Sequence, residues 1–134
     1  MLSLVVAGIL GFFGTALGAF GAHGLQDWLH TLPDGAQRLS WWQTGVQYQL
    51  WHALLLTGIG VWRRSDDRKA LRVATMLVPI GCLLFSGSLF AMTLTGIKAL
   101  GAITPFGGLA FLGAWTCLVV AAWPARDGQT RRRF

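Results

Sequence analysis

The sequence predicts an all-α, polytopic membrane protein: a bundle of four transmembrane helices with a short interfacial helix between the first and the second. Three observations carry that prediction. Hydrophobic residues make up 54% of the 134 positions and the mean hydropathy is +0.54, too apolar for a soluble domain of this size. Four apolar runs, at about 2–22, 41–62, 73–95 and 105–123, are each long enough to cross a bilayer. The basic residues collect in alternate connections, which is the charge signature of a chain threaded back and forth through a membrane. One domain over 1–123 is expected, followed by a basic tail at 124–134.

The first run, from Leu2 to Ala22, contains no charged residue. No Lys or Arg precedes it and no small-x-small cleavage site follows it, so it reads as a retained helix and not as a signal peptide. Gly8, Gly11, Gly14, Gly18 and Gly21 share an arc of one face, with Gly14 and Gly18 forming a GxxxG pair. In lipid, helices gain little by hiding apolar surface from one another, and close backbone approach over small residues becomes the main adhesive. That face is therefore an interface, within the chain or between chains.

The connection that follows carries His23, Asp27, Trp28, His30, Pro33, Asp34, Gly35 and Arg38. Leu25, Trp28, Leu29 and Leu32 recur at helical spacing, which predicts the short amphipathic helix on the membrane surface before Pro33-Asp34-Gly35 turns the chain. His23 and His30, seven apart with no other ligand beside them, read as solvated residues and not as a metal site.

For the second helix, Ser40 and Gln43 fit a capping box, so the helix is expected to start near Trp41. Trp41 and Trp42 at one end and Trp62 at the other stand about 30 Å apart along a helix, close to the hydrocarbon thickness of a bilayer. His52 then falls near mid-membrane, where a polar ring is costly unless it faces protein, water or a ligand. A shallower placement, with only Leu50 to Val61 in the hydrocarbon, is the competing geometry; the tryptophans favour the deeper one. Thr44, Tyr48 and His52 follow at four-residue steps and form a polar stripe.

In the segment RRSDDRKALR, Ser65 reads as an N-cap with Asp66 and Asp67 in the first turn of the third helix. Pro79 inside that helix removes a backbone hydrogen bond and predicts a kink. Ser86 and Ser88 flank Gly87 in mid-membrane, with bonds to their own helix carbonyls or a ligand contact as the two readings. Gly96 suits a helix C-terminus, and Thr104-Pro105 an N-cap followed by proline at the first helical position. Gly107 and Gly108 supply small residues on the fourth helix, and Pro124 marks its end.

The connection between helices two and three carries five Lys or Arg and the tail four, against Arg38 and Lys98 in the other two connections. By the positive-inside rule both termini and the Arg63 to Arg72 connection are cytoplasmic, in a bacterial inner (plasma) membrane. The same asymmetry explains the net charge of +6 without nucleic acid, for which no basic helical face exists. Cys82 and Cys117 fall in apolar runs with no zinc-type spacing, and no metal or cofactor is expected.

The segments GAFGAHGL (18–25), TGVQYQLWHAL (44–54), LFSGSLF (84–90) and LGAITPFGGLAF (100–111) resemble the bacterial family catalogued as domain of unknown function 423, the YgdD-like inner-membrane proteins, with eukaryotic transmembrane protein 256 as a relative. The resemblance runs from Leu2 to Trp123 and implies a small multi-pass membrane protein. It implies no established reaction and transfers no catalytic residue.

The residues point first to a non-enzymatic scaffold, assembly or lipid-interacting protein that associates through the faces of Gly8, Gly11, Gly14, Gly18, Gly21, Gly87, Gly107 and Gly108. Its partners are then the lipid bilayer and either a second copy or another membrane protein. A candidate polar intramembrane site comprises Gln47, Tyr48, His52, Ser86 and Ser88. The alternative is a channel or transporter using that site. All five acidic residues lie in connections or the tail, so His52 is the only group there for proton coupling. A haem- or quinone-binding redox protein is the further alternative; His23 ends helix one near the surface and pairs poorly with a midplane His52. For hydrolytic chemistry Ser86 and Ser88 lack an adjacent base.

Overall fold

The computed structural model describes residues 1–123, so the expected basic tail at 124–134 lies outside the described residues. Four long helices run up, down, up and down. Helix α1 spans Leu2–Leu29, α2 spans Gly35–Trp62, α3 spans Lys69–Thr95, and α4 spans Thr104–Ala122 after a 3₁₀ turn at Lys98–Ala102. Three helical stretches are long and apolar enough to cross a membrane: Leu2–Leu29, Lys69–Thr95 and Lys98–Ala122. Helix α2 is as long but mixed, its first half carrying Gln43, Thr44, Gln47, Tyr48 and Gln49. Large apolar side chains on every helix, among them Phe12, Leu54, Leu83 and Leu112, point away from the bundle. A surface of that kind suits an apolar surrounding, and the chain is an all-helical membrane protein.

Several ends differ from their sequence signals. Helix α2 starts at Gly35, not near Trp41; Asp34 occupies the N-cap position, and its carboxylate receives the Arg38 Nε–H at 2.9 Å instead of a backbone N–H. The supposed cap Ser40 is inside the helix and donates to the Gln37 carbonyl. The segment expected as a separate surface helix continues α1 through a π turn at Gly21–Leu25 into Gln26–Leu29. That turn directs Leu25 and Leu29 inward, where they pack with Trp42 and Val46. Ser65 closes the end of α2 by donating to the Trp62 carbonyl, and α3 begins only at Lys69. Asp66 and Asp67 therefore precede the helix and pair with arginines: Asp66 with Arg68, Asp67 with both Arg63 and Arg72. In α3 a π turn occupies Cys82–Ser86, just beyond Pro79. Gly96 takes the left-handed conformation at φ +75° and ends the helix, the one position among the described residues that requires glycine's freedom in this way.

Helix α2 is the central element. Along α1 it meets a row of glycines: a Cβ on Gly14 would stand 2.8 Å from the Leu50 side chain, and one on Gly18 3.3 Å from Val46. Gly21 lies against Trp42 and Gly11 approaches Ala53. The GxxxG pair thus packs inside the chain. Where α1 lacks side chains its carbonyls are reachable, and α2 uses two of them: Gln49 Nε2 donates to the Leu10 carbonyl and Trp42 Nε1 to that of Leu17, each at 2.9 Å. On the other side the closest approach is α4 on the π turn of α3, where a Cβ on Gly107 would collide with the Phe85 backbone. Gly108 only reaches the Phe85 ring at 4.0 Å, while Gly8 and Gly87 have nothing within 4 Å among the described residues. Those two lie on outward arcs of their helices, away from the packed seams.

Candidate functional site

His52 sits where α2, α3 and α4 converge. The geometry of its ring follows from its own helix: Nδ1 lies 2.7 Å from the Tyr48 carbonyl one turn back. A carbonyl only accepts, so Nδ1 carries the proton and, in the neutral ring, Nε2 is the acceptor. The ring stacks on Phe111 of α4 with centroids 3.5 Å apart and 14° between planes. Tyr48 stacks in turn on Phe85 of the α3 π turn at 4.5 Å. His52 is 5% exposed, and its Nε2 is buried without a protein hydrogen-bond partner among the described residues.

The other expected members of the site separate. Gln47 is exposed and lines a different groove, with Gln26, Gln43 and Gly18, because five residues along a helix rotate it about 140° from His52. Ser86 and Ser88, two apart, cannot share a helix face. Ser88 donates to the Phe85 carbonyl at 2.9 Å, so the Thr104 hydroxyl donates to it at 2.7 Å and ties α3 to α4. Thr104 serves that bond and not the expected N-cap. Ser86 is fully buried, and its hydroxyl has no protein partner among the described residues. Of the five residues, the structure brings only Tyr48 and His52 to one cavity.

That cavity is a groove of about 530 Å³, lined by Tyr48, His52, Phe85, Pro105, Gly108, Leu109, Phe111, Leu112 and Trp115. Leu109, Leu112 and Trp115 are more than half exposed, so the groove opens outward while Tyr48 and His52 stand at its inner wall. The aromatic members Phe85, Phe111 and Trp115 were not legible as site residues; in the sequence each is one apolar residue in an apolar run. Gln49, a buried polar residue holding α1 to α2, was likewise outside the expected set, although its seven-residue separation from Trp42 matches that of Gly14 from Gly21.

A family model described as "Protein of unknown function (DUF423)" matches residues 17–108. The chain is similar to the UPF0382 membrane protein YwdK of Bacillus subtilis (strain 168), 41% identical over 120 residues, covering 89% of this chain and 94% of the relative. It is also similar to the UPF0382 inner membrane protein YgdD of Escherichia coli (strain K12), 36% identical over 119 residues, or 89% of this chain and 87% of the relative. A UPF0382 membrane protein of Haemophilus influenzae is 37% identical over 124 residues, 92% of this chain and 95% of the relative. No solved structure matches the chain.

Proposed function

This chain belongs to the DUF423 family, and from that premise we propose that it is a non-enzymatic, lipid-interacting protein of the bacterial inner membrane that crosses the bilayer four times. In this reading α2 is the fourth span, with Gln49 and His52 covered by its neighbours. The Arg63 to Arg72 connection and both termini lie in the cytoplasm, following the distribution of basic residues. With Trp62 at the inner boundary, His52 stands about 15 Å into the membrane, and the segment Leu25 to Leu29 stands at the outer surface.

The observation that carries the lipid-interacting reading is the groove beside His52. It is walled by aromatic rings and opens at membrane depth between exposed Leu109, Leu112 and Trp115. An acyl chain fits such walls, because rings and aliphatic side chains offer dispersion contacts without a competing polar demand. The channel and redox alternatives draw less support: Gln47 points elsewhere, Ser88 is bonded to Thr104, and no second histidine among the described residues lines the groove.

The test places a photoreactive benzophenone side chain at Leu112 and irradiates the protein in native membranes. A covalent adduct of lipid mass is expected, and Gly108→Leu, which fills the groove from a position with room for a side chain, should abolish it. An adduct of protein mass, or a lipid adduct indifferent to Gly108→Leu, would overturn the proposal.

A further inference from the structure

A second cavity, of about 540 Å³, opens between the start of α1, the end of α2 and the start of α3. Its lining carries Arg63, Arg64 and Arg72 with the single carboxylate of Asp67, and apolar surface from Leu2, Val6, Gly60 and Met76. The polar part is preorganised. Asp67 receives the Arg63 Nε–H at 2.7 Å and lies 2.8 Å from an Arg72 terminal nitrogen, while Arg63 Nη1 also donates to the Thr75 hydroxyl at 3.3 Å. One carboxylate thus fixes two guanidiniums without neutralising the three, and each keeps donors for a further acceptor. Leu2 and Met76 are exposed, so the apolar wall continues into the outer surface of the bundle.

We propose that this cleft is a binding site for an anionic glycerophospholipid, with the phosphodiester held by Arg63, Arg64 and Arg72 and an acyl chain lying against Leu2, Val6 and Met76. The charge selects the headgroup. A forked guanidinium matches phosphate oxygens bidentately, and basic pockets between helix ends at the membrane surface favour lipids of net negative charge. The apolar wall selects a lipid over a free anion, because a soluble phosphate would leave Leu2, Val6 and Met76 uncovered. Asp67 is a positioning residue that sets the separation of the two guanidiniums. The inference deepens the lipid-interacting reading at a cavity apart from the His52 groove, and the two fail separately: Gly108→Leu addresses the groove alone.

The test uses the full chain, stripped of lipid in a non-ionic detergent and titrated with dioleoyl-phosphatidylglycerol or dioleoyl-phosphatidylcholine, with bound lipid counted by native mass spectrometry. One phosphatidylglycerol is expected to bind about tenfold or more tighter than phosphatidylcholine, given roughly a fivefold contribution per arginine near the surface. The double change Arg63→Gln/Arg72→Gln should remove that preference, and Arg38→Gln, at the other end of the bundle, should keep it. If the double variant does not fold, Arg72→Gln alone decides, since its guanidinium is largely exposed and should cost the preference several-fold. Equal binding of the two lipids, or a preference that survives the arginine changes, would overturn the proposal. So would displacement of phosphatidylglycerol by equimolar inorganic phosphate, which would identify a soluble-anion site instead.

Discussion

At Gly107 a single hydrogen in place of a side chain decides how near two helices come. A Cβ there meets the Phe85 backbone, which cannot swing aside as a side-chain tip would. Gly107→Ala should therefore cost about 1–3 kcal/mol in reversible SDS unfolding, the usual range for overpacking. Gly87→Ala, with open space around it, should be neutral or stabilising by up to about 1 kcal/mol, as alanine is the better helix former. Equal effects at the two positions would show that the α3–α4 seam is not as close as described. His52 offers a second check. Because its Nδ1 faces the Tyr48 carbonyl, ¹⁵N spectra of labelled protein at neutral pH should show the Nδ1–H tautomer, and an Nε2–H signal would contradict the assigned donor.

Helix ends are joined by polar side chains that reach across to a neighbour. Near the end of α3, the buried Thr93 hydroxyl lies 3.0 Å from the Arg38 carbonyl of α2 and 2.9 Å from Leu89's on its own helix, and Arg38 Nη1 reaches back to the Thr93 carbonyl at 3.4 Å. At the opposite end Arg68 Nη1 donates to the Ala121 carbonyl at 2.7 Å, where α4 runs out of its own donors. Cations suit helix C-termini for the further reason that the backbone dipoles end negative there. Thr93→Val keeps the shape and removes the hydroxyl, so it should destabilise by about 0.6–1.5 kcal/mol, the span measured for hydrogen bonds between membrane helices and in proteins generally. An unchanged unfolding midpoint would mean that this bond carries no net stability. The π turns act on the same scale, by rotating the residues beyond them: one brings Leu25 and Leu29 onto Trp42, the other presents the Phe85 backbone to Gly107.

For the whole molecule, the proposed orientation and the acid response both rest on charge. A phosphatase or fluorescent-protein fusion at the C-terminus should report the cytoplasm, as should one within the Arg63 to Arg72 connection; an outward report at either place would reverse the threading. In that connection hydrogen bonds from Arg63 and Arg72 hold the Asp67 carboxyl below its ordinary value, with the charges of the same two residues adding to the effect. Arg38 does the same for Asp34, through its hydrogen bond first. A carboxylate whose folded-state value is depressed binds its proton more weakly than in the unfolded chain. Its stabilisation is present above the ordinary aspartate range and is lost as pH falls through the depressed value. Asp67→Asn should lower stability slightly at neutral pH and leave it unchanged at the acid end, so the acid limb flattens by that same small amount, an exposed pair contributing modestly. A steeper acid limb in that variant would refute the assignment.

Much of this molecule is written in local chemistry. Apolar runs of membrane length, glycines on one face of α1, the left-handed stop at Gly96 and the asymmetry of basic residues are properties of a segment and its solvent, and each is legible without knowing what packs where. The helix starts were less legible, because a polar side chain that can cap can also bond elsewhere: Ser40 and Ser65 turn to carbonyls three residues back in their own segment, and Thr104 to Ser88 of the neighbouring helix. The candidate site shows the same limit. Four-residue spacing placed Tyr48 and His52 on one face, since a helix repeats every 3.6 residues whatever surrounds it. Only the tertiary structure could assign Phe111 to His52, Gln49 to the bare carbonyl of Leu10, and Ser88 to Thr104, because those pairings depend on the register and rotation of helices far apart in the chain.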